Sequence, residues 1–389
     1  MKRKLAVLLL LLLAVLGVLA FFTVAPVVAE WWLNGTRVRG PYRASERAKA
    51  LHARLLVADM HADTLLWDRD VLERSGRGHV DVPRLAEGGV ALQFFTVVSH
   101  TPYSPKYDVN PEGLDGVTAL AVAERWPLRS VRSLRERALY QARKLQEAAA
   151  RSGGRLVVIK TADDLARFVE RRKGDPQLVA GLLGLEGAYP LEGDVNNVDV
   201  LFDAGFRMIA PTHFYDNEWG GSAHGVDKTG LTEKGRELVR RAEARGMLVD
   251  LAHASAQTIE DVVAVATRPL VVSHTGVKGT CDNNRNLSDE QLRQVAAKGG
   301  VIGIGYWDAA TCGVDARAVA KSIRHAVNVV GVEHVALGSD FDGSVTEPFD
   351  TTGVVLVTDA LLEEGFTEEE VGLLMGGNVF RLLAEALPR

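Results

Sequence analysis

The sequence predicts an α/β fold: a (β/α)8 TIM-like barrel with helical insertions, preceded by an N-terminal transmembrane or signal segment. Three observations carry that prediction. Eight short, β-rich apolar runs alternate with helical stretches along the 389 residues, the pattern of a parallel sheet buried on both faces. Six of these runs close on a side chain able to bind a metal or move a proton: Leu55–Asp63, Leu178–Glu186, Met208–His213, Met247–His253, Leu270–His274 and His334–Asp340. A closed barrel gathers its C-terminal strand ends at one face, whereas an open doubly wound sheet brings ligands together only near its switch point.

The chain opens with Lys2, Arg3 and Lys4, followed by an uncharged apolar run from Leu5 to Ala29. At ~1.5 Å per residue that run spans a ~30 Å hydrocarbon core with some tilt, and it exceeds the ~7–15 residues of a signal-peptide core. Residues 1–29 therefore read as a signal anchor. A cleaved signal peptide is the alternative, because Val27-Val28-Ala29 offers a small-residue cleavage site. The basic end should stay cytoplasmic, placing the rest of the chain outside the inner membrane, periplasmic or extracellular, or secreted after cleavage. No Cys follows the run, so a lipoprotein anchor is unsupported. Residues 30–44 read as a polar connector and 45–389 as the barrel.

Gly89–Ser99 and Gly300–Trp307 complete the eight expected strands. Between strands, Ser130–Ala150 is charged and free of Gly and Pro, so it reads as one long helix. Thr161 with Asp164 resembles a capping box opening residues 163–172; Ser288 with Gln291 and Thr367 with Glu370 make two more. Thr232 opens a helix to Arg245 that Gly246 stops, and Asp315–Val330 is amphipathic and ends at Gly331. The stretch from Ser99 to Leu178 holds extra helix, as barrel insertions do.

Composition is ordinary for a globular protein, at 47% hydrophobic and 24% charged. A net charge of −5 and the lack of a basic stripe with interleaved aromatics give nucleic acid no footing. Two cysteines without a CxxC exclude a thiolate metal site and leave at most one disulfide.

The chemistry lies at the strand ends. His61 and Asp63 are an i, i+2 pair that extended backbone turns to one face, although HxD alone is a weak signal. Glu186 follows so apolar a run that it is either partnered or functional, since an unpaired buried charge is costly. A lone histidine on an apolar strand is ordinarily a core residue. His253 and His274 close consecutive runs, which favours paired ligands, and neutral imidazole suits zinc and its neighbours. Asp340 and Asp342 share strand parity, so one should face the site while the other orients; Asp340, first after the apolar run, is favoured for the site. Their DFDG run lacks the spacing of a calcium loop. His213 is a candidate ligand or substrate donor, and Arg285 a candidate bidentate grip on a carboxylate. His52, His79, His100, His224, His325 and His334 read as ordinary structural residues. Gly303-x-Gly305 lacks a dinucleotide fingerprint, and Ser99, Ser273 and Ser339 lack a nucleophile elbow.

The ordered set HxD, LGLEG, PTH, LVDLAH, VVSHTG, NNRN and LGSDFDG resembles the membrane (renal-type) dipeptidases, binuclear zinc peptidases on an amidohydrolase-like barrel. The likeness runs from about Val57 to Leu387; the ordered series is specific, though each motif alone is weak. It implies two zinc ions: one held by His61, Asp63, Glu186 and Asp340, the other by His253 and His274, with Glu186 bridging. It implies substrate contacts from His213 and Arg285, attack on a dipeptide by a hydroxide shared between the ions, and catalytic roles for Glu186, His213 and Asp340. Tolerance of a D-residue at the C-terminal position also follows from the resemblance alone. So does a cysteine pair: Cys281 follows His274 by seven residues and Cys312 follows Trp307 by five, on neighbouring loops, with two free thiols as the competing view.

This chain has Glu186-Gly187-Ala188 where many members have Glu-Gly-Gly, which alters the loop beside the bridge. It also ends without the hydrophobic tail of the lipid-anchored mammalian members, so the expected anchor is N-terminal. The expected partners are a dipeptide, the membrane through an uncleaved N-terminal segment, and a second copy in a homodimer. Two other readings compete: a deacylase or lactonase on the same barrel, disfavoured because no bridging lysine closes the fourth strand, and a non-catalytic anchored binding protein.

Overall fold

A computed structural model describes residues 2–389. Nine strands form one parallel sheet: β1 Val57–Ala62, β2 Val90–Val98, β3 Leu156–Val158, β4 Val179–Glu186, β5 Phe206–Ile209, β6 Leu248–Val249, β7 Val271–Thr275, β8 Val301–Ile304 and β9 Val335–Leu337. Eight follow the order β6-β5-β4-β2-β1-β9-β8-β7, and a parallel bridge between Asp250 and Val271 joins the two ends. The expected barrel is thus present, with helices packed around it.

One buried cluster draws Met60, Phe94, Leu182, Met208, Leu248, Val271, Val301 and Ala336 from the eight ring strands. Such a cluster fills a barrel interior with side chains rather than leaving a pore. The helix Asn378–Ala386 adds Val379, Leu382 and Leu383 to it, while Asn378 binds the carbonyls of Val332 and Val335 where β9 begins. That helix therefore plugs the end opposite the strand C-termini.

Two expectations need correction. β3 was not foreseen, being only three residues long. It pairs with the first half of β4, beginning at Val179, and β5 takes the second half from Leu183, so β3 adds no stave to the ring. The single helix expected over Ser130–Ala150 is two, Leu128–Arg132 and Leu134–Arg151. Ser133 leaves helical geometry (φ −131°, ψ 126°), and its side chain accepts from the Glu136 amide. An N-cap at that position starts a helix, so Ser133 cannot sit inside one. The capping boxes at Thr161, Ser288 and Thr367 form as expected.

The helix α1, Lys2–Thr23, has no buried residue and is long and apolar enough to cross a membrane. Helix α2, Ala25–Leu33, continues it after Val24 alone. The chain beyond α2 lies against the barrel's mouth. Gly35 O accepts from the Glu347 amide at 2.8 Å, the Arg37 amide donates back to Glu347 O at 2.9 Å, and the Val38 amide donates to Pro348 O at 3.0 Å.

Candidate metal centre

Six strands deliver the cluster. His61 lies in β1 with Asp63 just past it, Glu186 closes β4, and His274 lies in β7. His213, His253 and Asp340 stand beyond the last paired residues of β5, β6 and β9. All seven side chains are buried. Asp63 has left the extended region (φ −90°, ψ 30°), so simple strand alternation does not explain its approach to His61. Its position is fixed instead by its amide bond to Phe341 O at 2.9 Å and by Thr96, whose hydroxyl donates to Asp63 Oδ1 at 2.6 Å.

His253 and Asp340 adopt left-handed backbone, at φ 63° and 68°. For residues other than glycine this costs about 1–3 kcal/mol, a strain that tends to mark functional sites. Gly187, at φ 82°, has a different reason: a Cβ there would meet the Tyr189 ring at 2.5 Å and His213 Cβ at 3.1 Å. Only glycine lets the chain turn away from Glu186 while His213 comes close.

His61 Nε2 lies 3.5 Å from Asp63 Oδ1, 3.7 Å from Glu186 Oε1 and 3.8 Å from Asp340 Oδ1. Glu186 Oε1 is 3.0 Å from His253 Nε2 and 3.4 Å from His274 Nε2; its Oε2 is 3.5 Å from His213 Nε2. Donors about 2.0–2.2 Å from a tetrahedral zinc lie roughly 3.4 Å from one another, which is the spacing found here. Three overlapping triads arise: His61/Glu186/His274, Glu186/His213/His253 and His61/Asp63/Asp340. His213 thus stands close enough to be counted with the ligands as well as with substrate contacts.

Burial pushes the Glu186 carboxyl well above its ordinary range, and the Asp63 charge adds to that. Burial also takes Asp340 up to about 7, against the pull of His61. Burial keeps His213, His253 and His274 well below the usual imidazole value, hence neutral. His61 is the exception: burial would lower it, but Glu186 and Asp63 outweigh that and raise it to about 10. His253 Nε2 and His274 Nε2 face each other at 2.9 Å, and His61 Nε2 is buried without a hydrogen-bond partner. Neutral imidazoles and repelling carboxylates in this arrangement are a donor set suited to divalent cations.

Neighbouring groups orient the ligands. The Ser273 hydroxyl sits between His61 Nδ1 at 3.1 Å and His274 Nδ1 at 2.9 Å, so both rings turn Nε2 toward the centre. Asp59 holds the Ser339 amide and hydroxyl at 2.7 and 2.6 Å, beside Asp340. Sequence reasoning missed these two and also His224, whose ring lies 5.1 Å from His253 and whose pKa burial lowers to about 3. His224 Nδ1 donates to Tyr107 O at 2.7 Å and its own carbonyl accepts from the Asn110 amide, which fastens the insertion after β2 across the mouth. An aspartate inside the first apolar run was a readable signal for Asp59; nothing in the sequence singles out His224 or Tyr107.

Arg285 is 3% exposed and has no salt-bridge partner among the described residues. One nitrogen donates to His274 O at 2.8 Å, and the guanidinium lies 5.2 Å from the Trp307 ring. Asp340, Tyr107 and Glu186 lie near enough to act on its charge. A cavity of about 330 Å3 touches both Arg285 and His253. Cys281 and Cys312 are bridged, as expected, with Cα atoms 5.2 Å apart, joining the loops after β7 and β8.

Fold and donor set together are those of a metal-binding barrel enzyme. A family model described as membrane dipeptidase (peptidase family M19) matches residues 45–387, and the chain belongs to that family. It is 31% identical over 224 residues to the dipeptidase aclJ of Aspergillus oryzae, a match covering 54% of this chain and 52% of that protein. Among solved structures, the metallopeptidase dipeptidase AC is 25% identical with a TM-score of 0.69, covering 86% of this chain and 99% of that one. A metallopeptidase from Rhodobacter sphaeroides, solved with a phosphinate mimic of L-Ala-D-Ala, shares the fold at 24% identity and a TM-score of 0.68. That match covers 85% of this chain and 99% of its own.

Proposed function

We propose that this chain hydrolyses free dipeptides at a centre of two zinc ions held by His61, Asp63, Glu186, His253, His274 and Asp340, with Glu186 shared between them. The observation that carries the reading is the convergence of the His61, His253 and His274 imidazoles and three carboxylates at one barrel mouth, where burial and mutual repulsion push Glu186 and Asp340 upward for want of cationic charge from the chain. When bound there, such ions supply an activated water and a Lewis acid for the scissile carbonyl.

The chain's own groups do the rest. His213, neutral and 3.5 Å from Glu186, donates to the oxygen that gains charge as the carbonyl becomes tetrahedral. Asp340 carries a proton toward the leaving amine. Arg285, buried and unpaired, grips the substrate's C-terminal carboxylate in bidentate fashion. With the free amine among the acidic ligands, both substrate ends are read at once, so dipeptides fit and longer peptides do not. The dipeptide mimic bound to the Rhodobacter protein supports this substrate class and the tolerance of a C-terminal D-residue. α1 anchors the barrel to the membrane, with the mouth outside the cytoplasm.

Zinc content measured together with hydrolysis of dipeptides, tripeptides and N-acetylated dipeptides tests the reading. Two ions per chain and cleavage of unmodified dipeptides alone are expected. Efficient cleavage of tripeptides, or full activity without bound metal, overturns it.

A further inference from the structure

A cavity of about 630 Å3, larger than the one touching Arg285, opens beside α2, and no residue of the metal centre lines it. Its walls include Trp31 from α2, Tyr42, and four arginines, Arg39, Arg74, Arg77 and Arg84, against two acids, Glu87 and Asp350. Arg84 is fully engaged with Asp81, Gly78 O and Arg77 O. The others have capacity to spare. Arg39 makes no hydrogen bond or ion pair among the described residues. Arg77 commits only its Nε, to Glu30 at 2.8 Å, which leaves both terminal nitrogens free. Arg74 pairs with Glu87 where both side chains are 54% exposed, a contact worth little in water. Between Arg74 and Arg77, Gly76 leaves open space where a side chain would stand.

The location narrows the ligand. α1 and α2 are separated by Val24 alone, and the apolar run ends at Ala29, so Trp31 falls about 3 Å further along the helix. Trp31 and Trp32 are 59% and 76% exposed, as tryptophans at a membrane–water interface are. A basic pocket at headgroup level, walled by an interfacial Trp, suits a lipid phosphate, which guanidinium groups grip in bidentate fashion.

We infer that this cavity binds the phosphate of an anionic phospholipid headgroup from the membrane that α1 enters. The inference rests on the anchor reading of α1, which is tested separately by whether the full chain stays with liposomes through an alkaline wash.

The site itself is tested by calorimetry on the full chain in zwitterionic micelles, titrated with dihexanoyl phosphatidylglycerol, dihexanoyl phosphatidylcholine and inorganic phosphate. Phosphatidylglycerol should saturate one site per chain, with the other two at least tenfold weaker. Replacing Arg39 and Arg74 together by Ala should weaken phosphatidylglycerol roughly tenfold or more and leave dipeptide hydrolysis unchanged. Phosphatidylglycerol binding that never saturates, or that ignores the double substitution, overturns the site. Inorganic phosphate binding as tightly as the lipid reassigns it to free phosphate and overturns the lipid assignment. A chain that stays with liposomes yet shows no headgroup binding refutes the site alone.

Discussion

Asp340 and Asp342 stand two residues apart, both buried and both in left-handed backbone, yet they belong to opposite kinds of polar cluster. Asp342 is fully partnered. Its Oδ1 accepts from the His79 amide at 2.6 Å, and its Oδ2 from Thr64 at 2.8 Å and Arg69 at 2.6 Å. Its amide donates to His79 Nδ1 at 2.9 Å, which leaves the proton on His79 Nε2, donated to Gly35 O at 2.9 Å. Arg69 also holds Glu30 and Val80 O. Burial would raise Asp342, but Arg69 and His79 outweigh it and hold the carboxyl below its ordinary value.

Asp340 faces His61, Asp63 and Glu186 instead, and its carboxyl is driven upward. Burying charge is tolerable where the chain supplies the partners. Where the partners are missing over a whole cluster, the missing charge comes from outside the chain. The contrast separates a structural network from a binding site more sharply than burial or residue type does.

The comparison is tested hardest at Glu186. Glu186→Gln should cut kcat/KM roughly 10³-fold or more, since on the proposed reading several kcal/mol of metal-derived stabilisation would depend on that carboxylate. Metal content should fall with it, while the metal-free chain melts no lower than the parent. His253→Ala should retain about one ion per chain. A Glu186→Gln protein with two ions and undiminished turnover would falsify the assignment of the shared ligand.

Asp342→Ala should do the reverse. It strands Arg69 and the His79 amide in a dry interior, which costs about 3–5 kcal/mol on the pattern of broken buried pairs. Denaturant unfolding of the metal-free protein measures it. A loss under 1 kcal/mol would mean that the Asp342 network is less tightly coupled than its hydrogen bonds suggest.

Arg285 has the burial of the Asp342 network but lacks an ionic partner, like the metal ligands. Arg285→Ala should therefore lower kcat/KM on dipeptides about 10²-fold while folding and metal content persist. Arg285→Lys should restore little, because an ammonium cannot reproduce the bidentate fork. Unchanged kcat/KM would remove Arg285 from the carboxylate site and revive a deacylase reading.

The barrel was legible because uninterrupted apolar runs and capping residues leave local marks: Thr161, Ser288 and Thr367 each cap the helix that they announce. β3 was not legible, since three residues carry no usable period, and Ser133 was passed over although Glu136 follows it at capping spacing. At the site, the strand-end residues were visible as polar groups closing apolar runs. His224 and Tyr107 were not, because they come together through loops more than a hundred residues apart in sequence. The division of labour between Asp340 and Asp342 was legible from their order after the apolar run rather than from strand parity: Asp340 lies against His61, and Asp342 holds Arg69 and the His79 amide. Both lie past β9 in left-handed backbone, where alternation no longer governs direction.

The smallest effect is the most diagnostic, because its sign differs between the two aspartates. Asp340 titrates near 7 in the folded, metal-free chain against an ordinary carboxyl at 3.8. A carboxyl raised on folding costs stability fully above pH 7, and the cost fades as pH falls toward the unfolded value and is gone below it. Asp340→Asn removes that cost, so the chelator-treated variant should melt higher than its parent at pH 8, with the gap closing below about pH 4. Asp342 is lowered on folding, so its charge stabilises above 3.8 and that gain is lost as pH falls through the folded value. Asp342→Asn should accordingly melt lower than the parent at pH 8. With zinc restored, Asp340→Asn should also melt below the parent, since it then lacks a ligand. Melting curves at pH 8 and pH 5, with chelator and with zinc, read all of these signs. If Asp340→Asn lowers the metal-free melting point at pH 8, Asp340 has a partner within the chain, and the contrast between the two clusters fails.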